Sequence, residues 1–471
     1  MPPKKNPYKK IIIALILLVI LVGIYFGVRF YQASKQAAAR ATITDPKTGK
    51  TAFQTRNASS TGDPQIDINT GEDVSIVNTA STTPNVKQRL VQLWDQPVSG
   101  LDFIYKDIEI TSTSTIATPV VRIPLPPVGS STRVLNIDEK PTPPIRPEAT
   151  TTIVYKKTVI KNQEFIYLWD RKSGNIYENL ASTTNLSRLS NYTLPRMEEV
   201  FFLDGTSLLA RGVSNNNENI NSFYINLYKE TATSTLFTSE IKSNNITAKQ
   251  ITVLPELKKI FYFITGTGRG VTTNPDGSAQ ISIINTSLTE WIPQYVNKNT
   301  VAATTRPSAY FPGYLFFINT NGSGNNQYIL GDKYALTTLV SPNGQKVLFS
   351  EISNNQLETS IYDVKSKTTV TLSQSTLADK CGWSPDSTLI YCGIPQQLPS
   401  APYPDAWYQN QTKFSDNLWS INPETGEFDV VIPLQDQVSV PIDVVNIKLS
   451  KSKKYLLFQD RYSLTLWKYE L

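Results

Sequence analysis

A chain of 471 residues with a 40% hydrophobic share is long enough for one large folded domain with appendages. It contains no histidine, which excludes Ser-His-Asp and Cys-His catalysis, histidine-ligated metals and imidazole proton relays together. The net charge of +6 is accounted for by Lys4, Lys5, Lys9, Lys10, Arg29, Lys35 and Arg40, a segment without a single acid, so the rest is about neutral and no nucleic-acid groove is expected.

Ile11 to Val28 is an uncharged apolar run, about 27 Å long as a helix and so sufficient to cross a bilayer. Four lysines precede it and no small-residue cleavage site closely follows its apolar core. Residues 1–10 therefore read as a basic cytoplasmic tail and 11–30 as an uncleaved transmembrane signal anchor. Basic residues also follow the span, but a short lysine-dense tail resists translocation while a long domain crosses regardless of charge. The expected topology is single-pass, with the N-terminus inside and the remainder outside the cytoplasmic membrane. Gly23 and Gly27 stand at the spacing that lets two membrane helices pack into a homodimer, although glycine is common in such helices for other reasons.

Residues 31–85 turn to Ser, Thr and Asn, and from Ser34 to Asn85 Phe53 is the only aromatic. Such a segment buries too little to order itself and reads as a disordered linker, with a coil span of roughly 40 Å. From Arg89 the texture changes. Leu90-Val91-Gln92-Leu93-Trp94 opens a series of short strands that continues to the last residue, so 86–471 is expected to be one all-β domain. Within it, 111–150 holds Pro124, Pro126, Pro127, Pro141, Pro143, Pro144 and Pro147, a density that suits an extended surface insertion and not a central strand.

The period is clearest further on. Ser341-Pro342-Asn343-Gly344 and Ser384-Pro385-Asp386-Ser387 each lead into an apolar run, and the two copies start 43 residues apart. A turn-strand unit recurring every 40 to 45 residues is the period of a four-stranded propeller blade. Strand pairs at Phe165–Trp169, Phe201–Leu203 with Phe223–Leu227, Ile260–Phe263 and Tyr314–Phe317 fill the preceding turns of the ring. About seven blades result. The last supplies three strands before the chain stops, and Arg89 to Trp94 is the spare strand that closes the ring and removes its open edges.

Cys381 and Cys392 flank the second hairpin. With a two-residue loop at Asp386 and Ser387 they fall opposite each other, which permits a disulfide; a three-residue loop shifts the register, and two buried thiols are the other reading. The insertion 396–414 contains Pro402-Tyr403-Pro404-Asp405-Ala406-Trp407-Tyr408. Tyr403, Asp405, Trp407 and Tyr408 are the candidate ligand-binding residues, since rings beside carboxylate and amide groups grip glycans and peptides. The same loop can also fold back and pack on its own propeller. Gly266-Thr267-Gly268-Arg269-Gly270 lacks the Lys-Ser/Thr ending of a phosphate loop, and Asn274-Pro275-Asp276-Gly277-Ser278 is explained by a turn without calcium. Neither a catalytic residue nor a cofactor or metal is called for.

The Ser-Pro-Asn-Gly and Ser-Pro-Asp-Ser hairpins resemble the repeats of WD40-like, TolB-type bacterial β-propellers. More narrowly, Lys380-Cys381-Gly382-Trp383-Ser384, then Tyr403 to Tyr408, then a terminal Leu-Trp, resemble uncharacterised single-pass membrane proteins of uncultured bacteria. Ser387 departs from the usual turn glycine, and Ser450-Lys451-Ser452-Lys453 only faintly echoes the hairpin. The resemblance implies a cell-envelope protein and supplies no catalytic residues. The expected role is protein or glycan binding or scaffolding at an axial face; the rival is a carbohydrate-active hydrolase using paired carboxylates there.

Overall fold

The computed structural model describes residues 89–117, 151–213, 220–231, 233–324 and 326–471. The apolar span with Gly23 and Gly27, the linker and the prolines from Pro124 to Pro147 lie outside the described residues. Among the described residues, no helix is long and apolar enough to cross a membrane.

Seven four-stranded antiparallel sheets follow one another along the chain. We number these blades 1 to 7; they cover residues 98–188, 199–244, 251–285, 291–334, 337–371, 381–432 and 444–470. Leu90–Trp94 completes blade 7 as its fourth strand, with Leu90 opposite Tyr469 and Trp94 opposite Leu466. The ring therefore closes by joining its two ends, and Leu90 and Leu93 are buried in doing so.

First strands of neighbouring blades lie against one another around the axis: blade 1 touches blades 2 and 7, and blade 6 touches blade 7. Side chains alternate between faces of a strand, so each blade sends one apolar row to each neighbour. Tyr167 and Trp169 of blade 1 thus pack with Val200, Phe202 and Leu208 of blade 2, while Tyr391 and Leu418 of blade 6 meet Val444, Leu456 and Phe458 of blade 7. The core is a set of interblade layers, each aromatic or aliphatic side chain contributing about 1.5–3 kcal/mol by burial.

Since strands alternate in direction, the links between blades and the turns between second and third strands share one face, here called upper. Turns between first and second strands lie on the lower face. Three of these are built alike. Ser341, Ser384 and Ser450 are buried, and each hydroxyl accepts from the backbone N–H five residues on, at Lys346, Leu389 and Tyr455. Gly344, Ser387 and Lys453 take the left-handed conformation that the turn requires. The Ser450 turn is thus a full copy of the hairpin despite having neither proline nor glycine.

The second hairpin sets Cys381 opposite Cys392, and the two sulfurs form a disulfide. Its loop is longer than two residues: the closing pair is Ser384 and Leu389, a symmetric frame that leaves the cysteines in register.

Blade 1 departs from expectation. Its first two strands, Val98–Ala117 and Thr151–Asp170, run 20 residues each, so Thr111 to Ala117, which composition placed in a loop, is strand. The third strand pairs only with Phe165–Trp169. Past Tyr105 and Glu164, which bond Lys451 and Ser452 at the lower rim, the pair continues as a two-stranded ribbon projecting about 35 Å from the lower face. β-branched residues such as Ile108, Val159 and Ile160 favour the extended backbone despite the polar setting.

Candidate functional site

The insertion in blade 6 leaves the ring between Ile390–Pro395 and Asp416–Ile421, a second-to-third-strand connection, and so lies on the upper face. It folds back on the propeller around a one-turn helix, Asp405–Tyr408. Tyr403 and Trp407 are 2% and 3% exposed, in a cluster with Leu357 and Leu377 of the blade 5 side and with Phe414. Their rings are thus packed inside the fold, which is the folding-back alternative for these two residues and not the ligand-gripping one. The Trp407 indole N–H donates to Asp443 at 2.9 Å, and the Arg461 guanidinium covers the ring at 4.2 Å. Asp405 is half-buried and accepts from the backbone N–H of Ala309 at 2.6 Å, which ties the insertion to the blade 4 loop. Tyr462 of blade 7 donates to the Thr412 carbonyl. The insertion is a strap across the upper face, held at blades 4, 6 and 7.

Of the four, Tyr408 lines a cavity. Its hydroxyl donates to Asp379 at 3.1 Å, and both border a cavity of about 440 Å³ on the upper face. The other walls come from the link between blades 2 and 3 (Lys249, Gln250), from blade 3 (Phe263, Thr265), from the link to blade 4 (Thr289, Glu290, Trp291) and from Arg306. Phe263 and Trp291 stack at 5.3 Å and form the apolar wall. All these segments belong to the upper face by strand parity, which is why residues so far apart in sequence converge.

The charges are balanced and asymmetric. Glu290 receives Lys249 at 2.7 Å and Arg306 at 3.5 Å, and the Lys249 bond chiefly holds its carboxyl below the usual range. Asp379 goes the other way: enclosure by protein raises its carboxyl, against the Tyr408 hydrogen bond, although its side chain still faces the cavity. The Tyr408 hydroxyl is raised well above the usual tyrosine range by the same enclosure, with Asp379 adding to it. One carboxyl is thus pushed down by its cations while its neighbour in the same cavity is pushed up by enclosure. The sequence reading missed Lys249, Glu290, Arg306 and Asp379. Their only signal is position, on links and second-to-third-strand turns of a ring.

Other hollows lie elsewhere on the ring. One runs along the first strands, between Ser99, Glu199 and Asn446, with Lys448 paired to Asp102 at 3.3 Å. Another opens on the lower face between Asp204, Lys258 and Lys451.

No family model matches the chain, and no curated protein matches it. Among solved structures, oligogalacturonate lyase from Vibrio parahaemolyticus is similar at 10% identity and a TM-score of 0.44, over 65% of this chain and 86% of that one. TolB from Acinetobacter baumannii aligns at 10% identity and 0.37, over 56% and 62%. Hydrazine synthase from Kuenenia stuttgartiensis aligns at 10% and 0.41, over 65% and 92%. No residue or activity is carried from them to this chain.

Proposed function

We propose that the chain is a membrane-anchored binding module of the cell envelope, held by residues 11–30 with its propeller outside, and that it takes a glycan or peptide in the upper-face cavity. The cavity carries this reading: two cations, two carboxylates, a phenol and amide and hydroxyl groups surround an apolar wall, without net charge. Such a lining suits a neutral ligand rich in hydrogen-bonding groups, because each ligand polar group finds a donor or acceptor and its apolar part meets what Phe263 and Trp291 show to the cavity. The apolar run and lysine-rich tail support the anchor.

The test immobilises the full chain in detergent and compares the glycans and peptides it retains with those retained by the double variant Arg306→Ala, Tyr408→Phe. These side chains face the cavity and leave the buried strap intact, so thermal stability is expected to change little. Loss of a ligand bound by the parent supports the reading; equal retention by both moves the site elsewhere.

One observation favours a second reading, hydrolysis. Asp379 and Glu290, with carboxyls pushed in opposite directions, share the cavity and match the acid and base roles of a glycosidase. Release of new reducing ends by the parent chain, abolished in Asp379→Asn, distinguishes this from binding alone.

A further inference from the structure

Beneath the strap sits a cluster that plays no part in the cavity. Lys380, Asp416 and Asp443 are 0%, 0% and 1% exposed, from the links on either side of blade 6 and from the start of its third strand. Lys380 Nζ donates to Asp416 Oδ2 at 2.7 Å and also to Asp443 Oδ1. Its surroundings are aromatic: Nζ lies 4.9 Å from the centre of the Phe414 ring and 5.4 Å from that of Trp407. Asp443 is fixed by further donors, the Trp407 indole and the Phe414 N–H, and Asp416 Oδ2 by the Val444 N–H at 2.6 Å. The other Asp416 oxygen, Oδ1, is buried and has no hydrogen-bond partner.

One cation between two carboxylates leaves a net negative charge buried, with an unsatisfied oxygen, an arrangement with a heavy desolvation penalty. We propose that Lys380 and Asp416 are an intramolecular cross-linking site, where the lysine amine condenses with the Asp416 carboxyl to form an isopeptide amide and Asp443 carries the proton. Asp443, which already accepts from Nζ, carries one proton to Asp416 Oδ1 and so converts the ion pair into a neutral amine and a carboxylic acid with Oδ2 as its carbonyl oxygen, the forms that react. Burial moves the balance towards that state, since it pushes the Asp416 carboxyl up to about 6.

Nζ then attacks Cγ. The Val444 N–H, already on Oδ2, stabilises the oxyanion and remains on that oxygen as the amide carbonyl. Asp443 takes the proton that nitrogen must shed and passes it to Oδ1, which leaves as water. The N–C bond forms, the C–Oδ1 bond breaks, and nothing is oxidised or reduced. Asp443 ends as it began, a carboxylate accepting from the new amide, Trp407 and Phe414. Condensation removes the buried ion pair and the unpartnered oxygen together, and enforced contact in a dry site replaces external activation. The link would tie the segment leading into the first strand of blade 6 to the start of its third, at the root of the strap.

Intact mass spectrometry of the reduced, denatured full chain decides this. The parent is expected to be lighter than its sequence by one water, with trypsin unable to cut after Lys380 and with the Lys380 and Asp416 peptides joined. Asp416→Ala is expected at full mass. So is Asp443→Asn, which keeps the shape of the cluster and tests the proton carrier in a folded chain. A parent at full mass that is cut after Lys380 overturns the proposal and leaves an ion triad; an Asp443→Asn chain that also loses water overturns the role of Asp443.

Discussion

Asp363 shows how a single turn residue couples to pH. Its carboxylate accepts from the backbone and hydroxyl of Ser366 and from Lys346 at 3.3 Å, and the Ser366 backbone bond is the chief cause of a carboxyl held down at about 2. In the unfolded chain an aspartate titrates near 3.9. The folded state therefore holds its charge more tightly, and the stability this contributes is present above about pH 4 and is lost as pH falls towards 2. Asp363→Asn is expected to lower the urea midpoint at pH 7 and to make little difference at pH 2.5. A gap of equal size at both values would show that the turn is held by shape and not by charge. The same Asp-x-x-Ser turn recurs at Asp170 with Ser173 and Asp460 with Ser463. This repeat was present in the sequence, but two of its members stand in the second-to-third-strand turns of blades 1 and 7 and the other in the third-to-fourth-strand turn of blade 5, so no fixed period exposes it.

At the scale of elements, two glycines are needed for opposite reasons. Gly382 lies on the first strand of blade 6 where it meets blade 7, and a Cβ there would stand 2.6 Å from the Ile447 carbonyl oxygen and 3.0 Å from its Cβ. Backbone cannot yield as a side-chain tip can, so Gly382→Ala is expected to cost about 1–3 kcal/mol by overpacking. Gly266 has open space around it but a φ of +76°, so Gly266→Ala is expected to cost only about 1 kcal/mol, through strain. Urea denaturation of both reads the order; a larger loss at Gly266 would contradict the close approach of blades 6 and 7. The hairpins at Ser341 and Ser384 were legible because proline and a turn residue mark them, while Ser450 makes the same bonds with lysines and went almost unread. In the strap, aromatic content was legible and direction was not. An irregular loop has no period from which to tell that Tyr403 and Trp407 point inward and Tyr408 lines the cavity. The cavity was less legible still, since Lys249, Glu290, Arg306 and Asp379 meet only after the ring has closed.

The whole molecule depends on that closure. The third strand of blade 7 starts at the upper face with Leu466 and ends at the lower with Glu470. Leu90 pairs at the lower end and Trp94 at the upper, so the chain enters the ring on the lower face, opposite the cavity. Arg89 fastens this point, its carbonyl accepting from the Glu470 N–H at 2.9 Å and its guanidinium lying 5.0 Å over Tyr469. The blade 1 ribbon also projects from the lower face, and the cavity lies on the face opposite the end at which Leu90 pairs. Leu90 packs into the layer between blades 6 and 7, and Leu93 into the layer between blades 7 and 1, so one strand seals both seams. Replacing both by alanine removes about 2–5 kcal/mol at each position, a large part of what holds a domain folded. The Leu90→Ala, Leu93→Ala chain is expected to melt well below the parent. It is also expected to self-associate on heating, because fraying of this strand bares the edge of Leu466–Glu470 to other chains. Light scattering during a thermal ramp measures both, and a melting point within a degree or two of the parent would mean that the ring is held shut by its interblade layers without the closing strand.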